Sequence, residues 1–231
     1  MSLKGEVTFN IKPVMYPIMA MQTQSDLLAI TNENVNGFDK IGYQAKRPVL
    51  SSFAEFIGPK ALSTAIDDSV GRLGVTGNPL DIALEEKGYF QIQTPNGIQL
   101  SRDGRLKYTK EGELLSLEGY PILSNNGDKI ILPVLPETIE DLKIDLDGRV
   151  SVHDHNLKKL VPAGTIGVVT QDGVGVLHPK VRQKYLEFSN VDITTEFIQA
   201  SPYMRNFKLN KQMFTLVNSS MRNVIQTLGQ V

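Results

Sequence analysis

Regularly spaced turn sequences constrain the fold of this chain more than any other feature. Gly97, Gly104, Gly112, Gly119 and Gly127 follow one another at intervals of seven or eight residues, and each comes directly after Asn, Asp or Glu. Glycine supplies the positive φ that tight hairpin turns need. The stretches that flank these turns, such as YFQIQT and DKIILPV, suit short strands. The pattern predicts an antiparallel β meander, and we expect residues from about 70 to 188 to be all β.

The N-terminal part of the chain has helical periodicity instead. Apolar residues recur in alternating steps of four and three from Val14 to Val35, which is a heptad-like stripe. Because proline is tolerated only in the first turn of a helix, Pro13 and Pro17 predict that the regular helix starts near Pro17. Before it, Val7–Ile11 alternates apolar and polar residues, which predicts a short strand or an extended arm.

A second helical stripe begins after Ile193 and continues to Leu228. It is narrower than the apolar face of an ordinary core helix and predicts a coiled-coil seam. The polar Asn210 within the seam is typical of residues that specify register. Pro202 either begins the long helix, with Ser201 as N-cap, or kinks it. The residues predicted to line the assembly seam are Met21, Leu28, Phe207, Asn210, Phe214, Val217, Met221, Val224 and Leu228.

These patterns predict a mainly β protein with α-helical termini. We expect the N- and C-terminal helices to form a coiled-coil-like domain. The segment between them is expected to form a central antiparallel β domain. The predicted divisions are residues 1–45 for the N-terminal arm and helix, 46–188 for the β domain, and 189–231 for the C-terminal helix. Two interpretations of the stripes stay open: they pair within one chain as a helical hairpin, or they pack against other chains.

Composition excludes several classes of function. The 24 basic and 25 acidic residues give a net charge of −1, so there is no electrostatic basis for binding nucleic acid or an anionic membrane. No apolar run reaches 18 residues, so we expect no membrane insertion. The first residues lack the apolar core of a signal peptide, so we expect no cleaved secretory signal. The absence of cysteine excludes disulfides, thiolate nucleophiles and cysteine metal ligands.

Three sequence blocks carry a family resemblance. GNPLDIALEEKGYFQIQTPNGIQLSRDGRLKYTKEGELLSLEGYPIL spans Gly77–Leu123, VRQKYLEFSNVDITTEF lies near the C-terminal helix, and NENVNGFDKIGYQAKRP lies near the N-terminal one. Together they resemble the flagellar basal-body rod and hook proteins, most closely the distal-rod subgroup. Lys184 stands where that family usually has Gly, and Pro202 enters a helix that is usually uninterrupted. The signature residues are Gly77, Asn78, Leu80, Asp81, Gly88, Phe90, Asp103, Gly104, Gly119, Tyr120 and Pro121.

The resemblance implies a structural subunit of the flagellar basal-body rod. Such subunits are exported by the flagellar type III apparatus without a cleaved signal and assemble helically in the periplasm into the shaft that transmits torque from motor to hook. The implied partners are copies of the chain, related rod and hook subunits, and the export apparatus. The signature residues are expected to hold turns and loops. The alternative is a minor junction or adaptor protein of the same family that does not polymerise.

Candidate catalytic and metal-binding groups are sparse, so we predict no enzyme, no cofactor and no metal site. His153 and His155 fall on one face of a strand with Asp154 opposite, and His178 is a conceivable third ligand. A solvated strand end is the favoured interpretation. DLDGRV lacks the later Glu of a calcium loop, and the carboxylate pairs Glu85-Glu86 and Asp67-Asp68 are more typical of a solvated surface than of acid/base catalysis.

Overall fold

The computed structural model describes residues 12–50 and 62–228, so the strand or arm expected at Val7–Ile11 lies outside the described residues. The helices are α1 (Lys12–Gly37) and α2 (Ile193–Leu228). The strands are β1 (Lys46–Leu50), β2 (Leu62–Ile66), β3 (Leu73–Val75), β4 (Ile82–Leu84), β5 (Tyr89–Thr94), β6 (Gly97–Ser101), β7 (Leu106–Tyr108), β8 (Leu114–Ser116), β9 (Leu142–Ile144), β10 (Arg149–Asp154), β11 (Lys159–Thr165), β12 (Val168–Val169), β13 (Val181–Gln183) and β14 (Tyr185–Glu187). The prediction of a mainly β chain with a helix at each end is therefore confirmed.

All strand pairs among the described residues are antiparallel. Neighbouring strands pair in the hairpins β5–β6, β7–β8, β9–β10 and β10–β11. The last three strands return to earlier ones, because β12 pairs with β5, β13 with β4, and β14 with β3. The predicted meander is thus correct for the middle of the chain and wrong for its end, where the strands close back on the first part of the domain.

The core of the β region consists of aliphatic residues with Phe90 among them. Alternate side chains of β10 point into this core, since Val150 and Val152 are buried and Ser151 lies between them. The fully buried members include Ile82, Phe90, Leu114, Ile122, Ile130, Leu142, Val152 and Ile166. Burial of each such side chain contributes about 1.5–3 kcal/mol.

Most of the turn glycines occupy the conformation predicted for them. Gly97, Gly112, Gly119 and Gly127 have positive φ and lie at tight turns. Gly104 is different, because its φ is not positive and an added Cβ would lie 1.8 Å from the Ile82 carbonyl oxygen. The Asp103-Gly104 segment connects β6 to β7, which do not pair with each other. Glycine is needed there for close backbone approach and not for a hairpin.

Both helices begin earlier than their prolines predict. α1 starts at Lys12 and continues through Pro17, so the predicted start near Pro17 is wrong. Because Pro17 has no amide hydrogen, α1 loses only the hydrogen bond to the Pro13 carbonyl, which lies in the first turn of the helix. α2 starts at Ile193 and contains Pro202, so the alternative with Ser201 as N-cap is also wrong.

The described chain divides into two units. One, the helical unit, contains residues 12–35, 46–50, 62–66 and 192–228; the other, the β unit, contains residues 36–45 and 67–191. The antiparallel pair β1–β2 therefore belongs with the helices, whereas the sequence analysis places residues 46–66 in the central domain. Neither described helix is long and apolar enough to cross a membrane.

Candidate assembly surface

A buried polar junction holds the helical unit together. Asn34 of α1 is 1% exposed, and its Nδ2 donates to the Lys46 carbonyl oxygen at 2.9 Å and to Glu196 Oε1 at 3.0 Å. Its Oδ1 accepts from the Lys46 amide at 2.8 Å. One side chain thus joins α1 to β1 and to the first turns of α2. Glu196 is 2% exposed, and its Oε1 also lies 3.4 Å from Nη1 of Arg47.

The first turn of α2 is capped by Asp192. Its Oδ1 accepts from the Thr194 amide at 3.1 Å, and its Oδ2 accepts from the Thr195 hydroxyl at 2.6 Å. These bonds stabilise the charged form and lower the pKa of the Asp192 carboxyl below its ordinary value. A carboxylate at this position also interacts favourably with the helix dipole. The sequence feature that predicts this cap is an Asp two residues before a Thr-Thr pair.

The predicted seam on α2 is partly buried within the single chain. Phe207, Asn210, Phe214, Val217 and Met221 have intermediate exposure, while most positions between them are exposed. Val224 is 52% exposed, and the side chain of Leu228 lies outside the described residues. Among the described side chains of α2, Ala200 is the last that is buried. The greater part of this helix therefore has apolar surface that the described part of the chain leaves uncovered.

A second apolar stripe on α2, missed by the sequence analysis, lies beside the seam. Leu209, Met213 and Leu216 are 55%, 55% and 67% exposed. They are separated by steps of four and three, so they share one face of the helix. This face is adjacent to the seam, because the three residues directly precede Asn210, Phe214 and Val217 in the sequence. We call these three residues the exposed stripe. A search for a second heptad-like period, offset from the first, would have found them.

The apolar face of α1 differs from the predicted stripe. Met21 and Leu28 are partly buried, but Ile18 in the same predicted stripe is 46% exposed. The buried residues of α1 instead include Leu27, Ile30, Thr31 and Asn34. The buried face includes the polar residues Thr31 and Asn34, which a search for apolar periodicity does not detect.

In the β unit, two residues from different sequence blocks of the family resemblance, Arg102 and Glu187, meet in a buried ion pair. Arg102 Nε lies 2.5 Å from Glu187 Oε2, with the two side chains 1% and 2% exposed. The Arg102 Nη1 atom also donates to the Gly88 carbonyl at 2.6 Å, and Nη2 donates to that of Leu84 at 3.3 Å. The other oxygen of Glu187 accepts from the Gly71 amide at 2.8 Å. The pair therefore fixes four separate backbone segments.

Several other signature residues lie at turns or in the core of the β unit. The Asn78 Oδ1 atom accepts from the Leu80 amide at 3.2 Å, and Asn78 Nδ2 donates to Asp81 Oδ1 at 3.1 Å. Asp103 Oδ1 accepts from the Arg105 amide at 3.1 Å. Phe90 is fully buried. Gly77, Gly88 and Gly119 have positive φ, Leu80 packs against the core, and Pro121 forms a bridge next to Tyr120.

The weak catalytic candidates are held in structural contacts. Glu85 pairs with Arg182, Glu86 pairs with Lys180, and Asp68 pairs with Lys87. Asp145 of DLDGRV accepts from two turn amides, those of Asp147 and Arg149. These carboxylates therefore form surface ion pairs or cap a turn.

The three histidines do not come together. His178 Nδ1 lies 3.8 Å from Asp147 Oδ1, at the β9–β10 turn. The group that joins His153 and His155 is Asp141, whose Oδ1 lies 2.9 Å from His155 Nε2. The assignment of His178 as a third ligand is therefore wrong, because His178 lies beside Asp147, at the opposite end of β10 from His153.

Comparison with known proteins identifies similar chains. Residues 83–152 match the family model described as the flagellar hook protein FlgE/F/G D1 domain, and residues 182–227 match that of the flagellar basal body rod FlgEFG protein C-terminal region. The chain is 28% identical to the flagellar basal-body rod protein FlgF of Mesorhizobium japonicum, over 91% of this chain and 94% of the relative. It is 27% identical to the rod protein FlgG of Bacillus subtilis, over 88% and 93%. It is 29% identical to FlgF of Rhizobium meliloti, over 91% and 94%.

Proposed function

Because the chain belongs to the family of flagellar basal-body rod and hook proteins, we propose that it assembles helically into the rod and transmits torque from motor to hook. Like its relatives, the chain is a structural protein and not an enzyme. Its proposed partners are copies of itself and related rod and hook subunits. The proposed location is the periplasmic part of the flagellar basal body, reached through the flagellar type III apparatus without a cleaved signal.

The observation that supports assembly is the apolar surface of α2. The exposed stripe and the partly buried seam together form a broad apolar face along a helix that residues 12–50 and 62–192 cover only in part. Contiguous apolar surface of this kind marks sites of protein association. A contact between two different faces of neighbouring subunits generates a helical filament when its rotation does not close into a ring. We propose that neighbouring subunits cover this face, and that α1 and α2 form the coiled-coil-like domain of each subunit.

Covering the exposed stripe contributes a modest association energy per subunit. Complete burial of a Leu or Met side chain contributes about 1.5–3 kcal/mol, so covering the exposed half of one contributes about 1 kcal/mol. The exposed stripe alone then supplies roughly 3 kcal/mol per subunit. Contributions of this size are weak in one pair of subunits and become large when a subunit contacts several neighbours at the growing end.

The test compares two sets of substitutions in the full-length chain. The first set replaces the exposed stripe with Leu209→Gln, Met213→Gln and Leu216→Gln. The matched control places the same residue on the polar face of the same helix with Lys208→Gln, Thr215→Gln and Ser219→Gln. Sedimentation velocity and negative-stain microscopy over a concentration series report filament formation. We expect wild type and control to form filaments and the stripe variant to stay monomeric.

Two results would count against the proposal. If the stripe variant assembles as wild type does, the apolar face of α2 is not the assembly surface. If the wild-type chain stays monomeric at all concentrations, alone and with related rod subunits added, the alternative of a minor junction or adaptor protein that does not polymerise is favoured. Circular dichroism of each variant verifies that the fold is retained.

A further inference from the structure

Asp141, His153 and His155 form a compact cluster at one end of the β9–β10–β11 sheet. One ligand atom from each residue lies within 4.8 Å of those of the other two. The two imidazole rings meet edge to face with their centroids 4.8 Å apart, and His155 Nε2 lies 2.9 Å from Asp141 Oδ1. We infer that these three side chains bind a divalent transition-metal ion, with Zn²⁺ as the preferred ion.

The sheet register explains why the three residues meet. Strand β10 pairs with β9 so that Val152 lies opposite Leu142. Continuing the antiparallel ladder by one position places His153 opposite Asp141, at the spacing where cross-strand side chains interact. His155 follows two residues later and returns to the same side of the chain. Asp154 between them is buried on the other side, where its carboxylate accepts from the amides of Asn156 and Leu157.

Asp141 is oriented for coordination by its own helix cap. Its Oδ2 accepts from the Thr138 amide at 2.8 Å and from the Thr138 hydroxyl at 3.0 Å. The other oxygen, Oδ1, therefore faces the histidines. Hydrogen bonds that fix a ligating carboxylate in this way are a common feature of metal sites, where they set the orientation of the ligand.

The donor set and its exposure fit a transition metal with an open position. Two imidazoles and a carboxylate suit Zn²⁺ and similar ions, whereas Ca²⁺ and Mg²⁺ prefer oxygen ligands alone. Ligands of a tetrahedral ion with bonds of about 2.0–2.2 Å lie about 3.3–3.5 Å apart. The atoms of the cluster now lie between 2.9 Å and 4.8 Å apart, so metal binding requires a rotation of the His155 side chain, which is 47% exposed. Its exposure also gives the ion a path from solvent and leaves the fourth position to water.

A bound ion would connect the short 3-10 helix Ile139–Asp141 to the end of β10. It would replace the direct contact between His155 and Asp141 with three metal bonds. The site would thus stabilise this end of the sheet. This role is independent of the proposed assembly through α2.

The experiment measures Zn²⁺ binding to the full-length chain, prepared without a polyhistidine tag and stripped with a chelator. Isothermal titration calorimetry compares wild type with His155→Gln, His153→Gln and the control His178→Gln. We expect wild type and His178→Gln to bind one ion per chain. We expect the other two variants to bind at least about tenfold more weakly, since even outer-shell changes at metal sites cost 10–100-fold in affinity. Because His155 is exposed, its substitution is expected to leave the fold intact.

A spectroscopic measurement identifies the ligands. Cobalt(II) added to wild type is expected to give visible absorption bands of a low-coordinate nitrogen and oxygen site, and these bands are expected to be absent in His155→Gln. Equal Zn²⁺ affinity in wild type and His155→Gln, loss of binding only in His178→Gln, or no measurable binding by wild type would each overturn the inference. In the last case the cluster is a histidine–carboxylate hydrogen bond alone.

Discussion

The Nε atom of Arg102 lies 2.5 Å from Oε2 of Glu187, and both side chains are almost completely buried. The two residues are 85 positions apart in the chain. Their remaining donors and acceptors bond to backbone groups, including the Gly88 carbonyl and the Gly71 amide. A buried charge pair is tolerated only when its hydrogen-bonding groups are satisfied in this way. The pair therefore fixes how the end of the β unit closes on its beginning.

Removal of one partner of this pair is expected to destabilise the β unit strongly. Arg102→Met leaves the Glu187 carboxylate buried without its cation and should lower the free energy of unfolding by about 3–5 kcal/mol. Lys87→Met removes one partner of the exposed Lys87–Asp68 pair and should cost less than about 1 kcal/mol. Urea denaturation measures both. Comparable losses in the two variants would show that the buried pair has no special role.

Asn34 is expected to be the most sensitive polar residue of the helical unit. Asn34→Ala removes three hydrogen bonds that connect α1, β1 and Glu196. Since each buried group left without its partner costs about 1–3 kcal/mol, we expect a loss of about 3 kcal/mol. Asn32→Ala, at an exposed position of the same helix, is the matched control. Hydrogen exchange should become faster in α1 and in the first turns of α2 for the Asn34 variant only.

Local features of this fold were predictable from the sequence, whereas long-range ones were not. The hairpin turns at Gly97 and Gly112 follow from two or three neighbouring residues, so the sequence predicts them directly. The pairing of β14 with β3 depends on contacts between distant segments, and the short strands Leu73–Val75 and Tyr185–Glu187 contain nothing that specifies each other. The sequence left the start of α2 open between Ile193 and Pro202, because the proline signal competes with the cap at Asp192.

The candidate assembly surface was predictable only in part, for a related reason. Periodicity identifies the apolar positions Phe207, Phe214 and Met221, but a single sequence does not indicate which of two adjacent stripes is covered by the same chain. The exposure of Leu209 and Leu216 becomes apparent only when the rest of the chain is in place. The cluster of Asp141, His153 and His155 was missed in the same way, since Asp141 reaches His153 through the β9–β10 register.

Lys184 has a φ of 70°, a backbone conformation that residues other than glycine rarely adopt. The residue lies between β13 and β14, at a position where the resemblance leads us to expect Gly. Lys184→Gly should raise the free energy of unfolding by up to about 1 kcal/mol, because a left-handed conformation costs an ordinary residue roughly 1–2 kcal/mol and glycine almost nothing. The greater freedom of glycine in the unfolded chain offsets part of this gain.

The control for this prediction is Lys184→Ala. Both variants lose the exposed ion pair with Glu140, where Lys184 Nζ lies 2.9 Å from Oε2. Only the glycine variant relieves the backbone strain. Thermal unfolding should therefore rank glycine above alanine, and equal stabilities would contradict the proposed strain.

The cap at Asp192 is expected to make the stability of the helical unit depend on pH. Its pKa is lowered in the folded chain by the Thr195 hydroxyl and the Thr194 amide. The folded state thus binds a proton less readily than the unfolded state. Its stabilising contribution is complete above the ordinary pKa of an Asp and is lost as pH falls through the lowered value. Asp192→Asn keeps one acceptor oxygen for the Thr194 amide but removes the charge and the second acceptor. Its stability should therefore lack this pH-dependent component when both proteins are unfolded by urea across the acidic range.

The predicted seam on α2 is testable separately from the exposed stripe. Phe214 and Met221 are partly buried in the single chain, so their remaining surface is available to neighbouring subunits. Phe214→Ala or Met221→Ala should weaken each subunit contact by about 1 kcal/mol, which raises the concentration needed for assembly roughly fivefold. The β unit should keep its stability, because neither residue belongs to it. Sedimentation gives the assembly threshold and urea denaturation gives the stability of the β unit. Normal assembly of both variants would mean that the seam is covered within one chain, as the helical-hairpin interpretation requires.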